Sequence, residues 1–212
     1  MPATAQITET TCIPSGLGHR GVMARDSNPP APDAGSLYQA ALYYLARYAA
    51  TEAGLRRVLV QKIDLWARAQ PDADAAEPVI TAARAAVAGV VERLVTAGAV
   101  SDAAFAENRV KNLVRSGQSN RAIQARLVAK GVAPDMARAA TVTDPETELA
   151  AALVLVRKRR IGSYRMAEDA DAIVRNKELG LLARAGFSRD IAQQALEMPR
   201  EDAEVRIHDL RQ

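Results

Sequence analysis

The side chains that could act as nucleophiles, general bases or metal ligands are few and widely separated in this sequence. Cys12 is its one cysteine, and neither of its two histidines, His19 and His208, has a partner at the spacing of a ligand set or a catalytic triad. It contains no glycine-rich phosphate loop, no Cys-x2-Cys pair and no His-Glu-x2-His motif. The sequence therefore predicts no catalytic residue, no metal site and no cofactor, and we expect a protein that is not an enzyme.

The basic residues are the stronger candidates for a functional surface. Residues 100–143 hold seven Lys or Arg against three Asp or Glu, and residues 157–160 are all basic. Such side chains can bind phosphates or an acidic protein surface. A solvated helix face, or pairing with a helix C-terminus, produces the same clusters. The candidate partner-binding residues are Lys111, Arg115, Arg121, Arg126, Lys130, Arg157, Lys158, Arg159 and Arg160.

Three short motifs of the form Leu-x3-Gly-apolar-x2-Asp would position these side chains. In each motif the glycine follows the last apolar turn of a helix, where a left-handed residue closes the helix. The Asp stands in the first turn of the next helix, where it complements the helix dipole. Pro134 and Ser188 agree with this interpretation, because Pro fits the first helical position and Ser is a good N-cap. The motifs predict three copies of one helix–turn–helix unit, with structural turns at Gly98, Gly131 and Gly186.

Apolar residues recur at helical spacing from about residue 36 onward, and no strand signal interrupts them. Overlaying Leu59 on Leu127 places Thr51 on Ser119 as helix N-caps, which supports an internal repeat. We expect an all-α fold, an elongated curved array of three tandem three-helix repeats. The predicted segments are a disordered N-terminal tail at 1–35, repeats at 36–99, 100–143 and 144–198, and a charged C-terminal tail at 199–212.

Composition narrows the class of protein further. The chain has 212 residues, of which 49% are hydrophobic and 4% aromatic, as expected for alanine-rich helices that pack closely. Its net charge of +3 makes an anionic partner possible without requiring one. A single cysteine excludes an internal disulfide, and no apolar run is long enough to span a membrane. With no signal peptide pattern, we expect a cytoplasmic monomer without a membrane partner.

Three stretches, in this order, carry a resemblance to a known family. They are ALYYLAR at 41–47 with LRRVL at 55–59, then GAVSDAAFAE at 98–107 with LVAKGV at 127–132, then KELGLLARAGFS at 177–188. Over residues 36–198 the chain thereby resembles the RecX family, regulators of the RecA recombinase. It departs from the family pattern at Ala99, Ser101 and Ala185.

The resemblance implies a curved, all-helical protein that binds along the groove of the RecA–single-stranded DNA filament. It implies restraint of filament growth, ATP hydrolysis, strand exchange and co-protease activity. Under this interpretation the basic residues from Lys111 to Lys130 meet acidic filament surface or phosphates. Weak binding to single- or double-stranded DNA stays open beside it.

Two other classes of protein stay open. A helix-turn-helix DNA-binding protein, of the transcription-factor class, would need a recognition helix, and Asn120, Arg121 and Gln124 could begin one. A helical-repeat scaffold that binds another helix would need a continuous exposed apolar groove, and the sequence pattern identifies none.

Overall fold

Helices account for the regular structure throughout the part of the chain that the computed structural model describes, residues 30–142, 144–166 and 171–212. No strand occurs in these ranges, and the prediction of an all-α fold is confirmed. Residues 1–29, with Cys12, His19 and most of the predicted N-terminal tail, lie outside the described residues. The α-helices are α1 (Ala34–Leu45), α2 (Glu52–Arg68), α3 (Ala73–Thr96), α4 (Asp102–Arg115), α5 (Asn120–Ala129), α6 (Pro134–Ala140), α7 (Pro145–Arg159), α8 (Ala172–Arg184), α9 (Arg189–Glu197) and α10 (Arg200–Asp209), with a short 3-10 helix at Gly162–Tyr164 after α7.

Most helices begin at a residue whose side chain accepts a hydrogen bond from its own first turn. Thr51, Ser119 and Ser188 cap α2, α5 and α9 in this way, at the positions the sequence pattern predicts. Pro134 is the first residue of α6. Its lack of an N–H costs no hydrogen bond there, because the first N–H groups of a helix have no partner within the helix. Because a cap satisfies N–H groups that a helix leaves unpaired, local chemistry fixes these boundaries.

The helices pack in three groups, which we call the first (α1–α3), second (α4–α6) and third (α7–α10) group. The first group has a hydrophobic core of its own, between residues 37 and 100, in which Leu55, Leu59 and Ile63 of α2 are fully buried. The second and third groups share one core between residues 106 and 207, because α4 packs against α7. The repeat boundaries stated from the sequence stay predictions.

The three motif glycines have left-handed backbone conformations, with φ of 70° at Gly98, 98° at Gly131 and 96° at Gly186. Their positions in the fold differ. Gly98 follows α3 and leads into the next group, whereas Gly131 and Gly186 lie within a group, after α5 and α8. In the first group α2 continues to Arg68 without such a glycine. The motif therefore marks the end of a helix in each case, at a place that differs from one group to the next.

Residues 199–212, predicted from their charge to be a tail, contain the helix α10. Ala203 and Ile207 of α10 are 0% and 1% exposed and belong to the core of the second and third groups. These two residues are four apart, so they face the same side of a helix whose other positions are mostly charged. Two inward apolar residues are too few to give a clear periodic signal, and packing against α7 supplies the stability instead.

Candidate functional site

Neighbouring helix groups are joined by the same hydrogen bond at two places. The hydroxyl of Thr51, the N-cap of α2, donates to the carbonyl oxygen of Lys130 at the end of α5. The hydroxyl of Ser119, the N-cap of α5, donates to the carbonyl oxygen of Ala185 at the end of α8. Both O···O distances are 2.6 Å. We call Thr51 and Ser119 the junction hydroxyls, since each begins one helix and holds the end of another.

The glycine that follows each accepting carbonyl permits the close approach. A Cβ atom added at Gly131 would lie 2.3 Å from the Cβ atom of Ala53, and one added at Gly186 would lie 2.5 Å from the hydroxyl oxygen of Ser119. At Gly98 an added Cβ atom would meet nothing within 4 Å. Gly131 and Gly186 are therefore required by backbone conformation and by a contact between groups, and Gly98 by conformation alone.

Two further polar contacts hold the first group to the second. Arg57 of α2 donates from Nη2 to the carbonyl oxygen of Lys130 at 2.9 Å. The backbone N–H of Glu52 donates to a carboxylate oxygen of Asp102 at 2.8 Å. Asp102 thus neutralises the N-terminal end of α2 as well as lying in the first turn of α4. The sequence pattern indicated only the second role, because the first depends on a residue 50 positions away.

The predicted binding residues Lys111, Arg121, Arg126 and Lys130 are all exposed, but they do not converge on one spot. Arg126 and Lys130 are four residues apart and share one side of α5. Arg121 lies at the other junction, with its Cβ atom 3.4 Å from where a Cβ would stand at Gly186. These charges therefore extend from one end of the second group to the other.

Two predicted binding residues instead fasten helices together. Arg115, at the end of α4, donates from Nε to the carbonyl oxygen of Leu210 just after α10, at 3.3 Å. Lys158, in the last turn of α7, donates from Nζ to the carbonyl oxygen of Ser116 at 2.6 Å and so caps α4. Both side chains use hydrogen-bond donors on acceptors inside the molecule, which makes them weaker candidates for contacts with a partner.

Arg157 is a third predicted binding residue with an internal partner. Its Nη1 lies 2.8 Å from a carboxylate oxygen of Glu204, whose other oxygen accepts a hydrogen bond from Tyr164 at 2.9 Å. That hydrogen bond, and then the charge of Arg157, lowers the pKa of Glu204. Burial, and then the same hydrogen bond, raises the pKa of Tyr164 to about 12. At neutral pH the carboxylate is charged and the phenol protonated, so the network ties α10 to α7.

Lys158, Arg159 and Arg160 of the four-residue basic cluster are exposed, whereas Arg157 is half-buried. Arg160 is the C-cap residue that follows α7, and its φ is 54°. Glycine is the residue usually found in this left-handed conformation at the end of a helix. The cluster at 157–160 is therefore divided: Arg157 and Lys158 have hydrogen-bond partners inside the molecule, and Arg159 and Arg160 extend the exposed positive charge.

Two of the residues that could begin a DNA recognition helix are hydrogen-bonded to other side chains of this protein. The side-chain amide of Asn120 donates to Glu148 at 3.2 Å, and that of Gln124 donates to Thr141 at 2.7 Å. Reading base edges would require both amides to leave these partners. The helix-turn-helix alternative is disfavoured by this geometry.

Two depressions at the junction of the first and second groups bring together Arg47, Arg57 and Arg109, none of which the sequence pattern indicated as a binding residue. Arg47 follows α1 and Arg109 lies in α4, and both line the larger depression, of about 500 Å³. Arg109 also lines the neighbouring depression of about 360 Å³, together with Arg57 and Lys130. No local pattern could have linked these residues, because they come from different helix groups.

In the ranges that the structure covers, no helix is long and apolar enough to cross a membrane. The same ranges contain no group of His, Cys, Asp and Glu residues that could hold a metal ion.

Comparison with known proteins gives one consistent result. A family model described as RecX, second three-helix domain, matches residues 101–140. The regulatory protein RecX of Myxococcus xanthus (strain DK1622) is 36% identical over 163 residues, which are 76% of this chain and 84% of that protein. RecX of Agrobacterium fabrum is 39% identical over 111 residues, 52% of this chain and 59% of that protein. The fold is similar to the crystal structure of RecX from Lactobacillus salivarius, with a TM-score of 0.58 at 19% identity over 82% of this chain and 97% of that chain.

Proposed function

Because this chain belongs to the RecX family of regulatory proteins, we propose that it regulates the RecA recombinase and catalyses no reaction of its own. It binds along the RecA–single-stranded DNA filament and restrains filament growth, ATP hydrolysis, strand exchange and co-protease activity. Its setting is the cytoplasm, in homologous recombination, DNA repair and the SOS response. The observation that carries this proposal is the 36% identity over 84% of the Myxococcus xanthus protein.

The filament contacts in this proposal come from four exposed basic residues on or directly after α4 and α5 of the second group. Lys111, Arg121, Arg126 and Lys130 are exposed on α4 and α5 or directly after them, and they extend between the two junctions. Arg159 and Arg160 add exposed positive charge after α7. Each exposed ion pair contributes only about 0–1 kcal/mol, so binding must be distributed over many contacts. Rising salt concentration should weaken it steeply.

The experiment is a titration of this protein into RecA during ATP hydrolysis on single-stranded DNA. We expect turnover to fall at well below one molecule per recombinase protomer, since a protein that stops filament growth acts on many protomers at once. An unchanged rate, together with no co-sedimentation with the filament, would overturn the proposal.

A charge-matched pair of variants tests the contact residues. The triple variant Lys111→Ala, Arg121→Ala, Arg126→Ala should need about tenfold more protein for half-inhibition, the loss expected for about 1.4 kcal/mol spread over three exposed contacts. The control Lys62→Ala, Arg68→Ala, Arg138→Ala removes equal charge at other exposed positions and should inhibit like the wild type. If both variants weaken inhibition equally, the net charge of the protein determines binding, and these three positions have no special role.

A further inference from the structure

The groove between the first and second helix groups is a second candidate site, which shares Lys130 with the exposed basic residues considered above but is otherwise lined by other side chains. It consists of the two depressions described earlier, which adjoin because Ala49, Ala50, Phe105 and Arg109 line both. We call it the junction groove. Its walls are the end of α1 and the first turns of α2 on one side, and α4 on the other.

Positive charge is concentrated in the junction groove. Arg47, Arg57, Arg109 and Lys130 line it, and none of the described residues that line either depression is acidic. This one-sided charge is unlike the whole chain, whose 28 basic residues are almost balanced by 25 acidic ones. A concave surface of one sign raises the local concentration of ligands of the opposite sign. The groove is therefore suited to a ligand with repeated negative charges.

One arginine of the groove is held in place before any ligand binds. Arg57 donates from Nε to the carbonyl oxygen of Ala53 at 3.2 Å and from Nη2 to that of Lys130 at 2.9 Å. These two bonds engage two of its donor groups and hold the guanidinium in place, so Arg57 contributes ordered positive charge to the groove rather than a direct phosphate contact.

Exposed tyrosine rings lie beside these charges. Tyr48 lines the larger depression and is 57% exposed, with its ring centroid 5.1 Å from that of Tyr44, which lines the smaller one. Tyr43 is 64% exposed, and the guanidinium of Arg47 lies 4.4 Å from its ring centroid. An aromatic ring that is exposed next to arginine offers a face on which a planar ligand can stack.

Amide side chains and small residues complete the junction groove. Asn108 and Asn112 of α4 line the larger depression. One N–H of the Asn108 amide donates to the carbonyl oxygen of Ala104 at 3.0 Å, and the amide groups of both residues retain an acceptor oxygen and a further N–H for a ligand. The lining of the larger depression includes Ala99 and Ala104, whose small side chains leave room for a ring to approach. An acidic peptide would use the cations and the amides, but its carboxylate side chains have no planar ring to stack on the exposed tyrosines. A nucleic acid would use all three.

We propose that the junction groove binds single-stranded nucleic acid, with Arg47, Arg109 and Lys130 on the phosphates and Tyr48 stacked on a base. A single strand is favoured over a duplex, because bases inside a duplex are already stacked and cannot reach an isolated ring. This binding needs no recombinase, so it stands apart from the function proposed above.

The test measures fluorescence anisotropy of a fluorescein-labelled 20-nucleotide oligothymidylate mixed with the full chain and no other protein. We expect Tyr48→Leu to weaken binding by at least about fivefold, the effect of losing one stacked base, while Tyr48→Phe keeps the ring and binds like the wild type. Arg47→Gln with Arg109→Gln should reduce the slope of log affinity against log salt concentration by about 1.4, the change for two lost phosphate contacts on a single strand. Circular dichroism checks that each variant is folded.

The control Arg68→Gln with Arg138→Gln removes the same charge at exposed positions that do not line the groove, and it should leave the salt slope unchanged. Polyglutamate and a duplex of equal length serve as competitors. No binding of the oligonucleotide, full competition by polyglutamate, or equal effects of the two arginine pairs would each overturn the proposal. Inhibition of RecA can persist under all three outcomes, so failure of this site does not refute the proposed function.

Discussion

At the scale of single residues, the junction hydroxyls combine two contacts that are usually separate. Ser119 is fully buried, accepts a hydrogen bond from the first turn of α5 and donates one to the end of α8. Losing an N-cap costs about 1 kcal/mol, and leaving a buried carbonyl unpaired costs about 1–3 kcal/mol more. Substitution of Ser119 should therefore destabilise the protein more than substitution of an ordinary cap.

Ser119→Ala and Ser188→Ala provide the comparison. Ser188 caps α9 with the same geometry but is exposed. We expect Ser188→Ala to lower the free energy of unfolding by about 1 kcal/mol and Ser119→Ala by about 2 kcal/mol or more, measured by urea denaturation. Equal losses would show that the bond to Ala185 contributes nothing net.

The glycines allow a second comparison at this scale. Alanine at Gly98 or Gly131 must adopt positive φ, which costs about 1 kcal/mol in either place. At Gly131 the new methyl group also collides with Ala53, so part of the first junction must shift. We expect Gly98→Ala to cost about 1 kcal/mol and Gly131→Ala clearly more, as seen in the midpoints of thermal and urea unfolding. A Gly131→Ala protein as stable as Gly98→Ala would mean that the junction opens without cost.

At the scale of elements, α10 is part of the core rather than a tail. Ile207 is 1% exposed against α7, and Glu204 holds the helix through Tyr164 and Arg157. Truncating a buried isoleucine to alanine costs about 2–5 kcal/mol, because transfer energy is lost and a cavity remains.

Ile207→Ala should therefore lower the free energy of unfolding by about 2–5 kcal/mol. Val205→Ala removes apolar atoms from the same helix at a side chain that is 60% exposed, and it should change stability by less than about 0.5 kcal/mol. Urea denaturation of both variants measures the difference. If both are as stable as the wild type, α10 does not pack as described.

At the scale of the whole molecule, two cores imply two units of stability. The first group buries its apolar residues separately, and the contacts described between it and the second group are largely hydrogen bonds. The second and third groups share a core and should unfold together. Regions that bury their apolar surface separately can open separately.

Hydrogen exchange followed by mass spectrometry tests this with two equivalent substitutions. Leu59 and Leu153 are both fully buried, one in each core. Leu59→Ala should speed exchange in residues 37–100 and leave residues 106–207 protected, and Leu153→Ala should do the reverse. Uniform acceleration by either variant would show a single cooperative unit instead.

Where the sequence was informative, the determining interactions are local. Helix ends follow from hydroxyl caps, a first-position proline and left-handed glycines, all of which act within one turn of the chain. The helix α10 escaped detection because its stability comes from α7, and the nine basic residues looked equivalent because a sequence shows charge but not the partner it meets.

The sequence by itself determined that this protein is helical, where most helices begin and end, and that it resembles the RecX family. Only the tertiary structure decided that Lys158 caps another helix, that Thr51 and Ser119 join neighbouring groups, and that Arg47 and Arg109 line one groove. Capping and periodicity are local, so they can be read along the chain. Contacts between groups depend on where distant backbone segments meet, which no local pattern specifies.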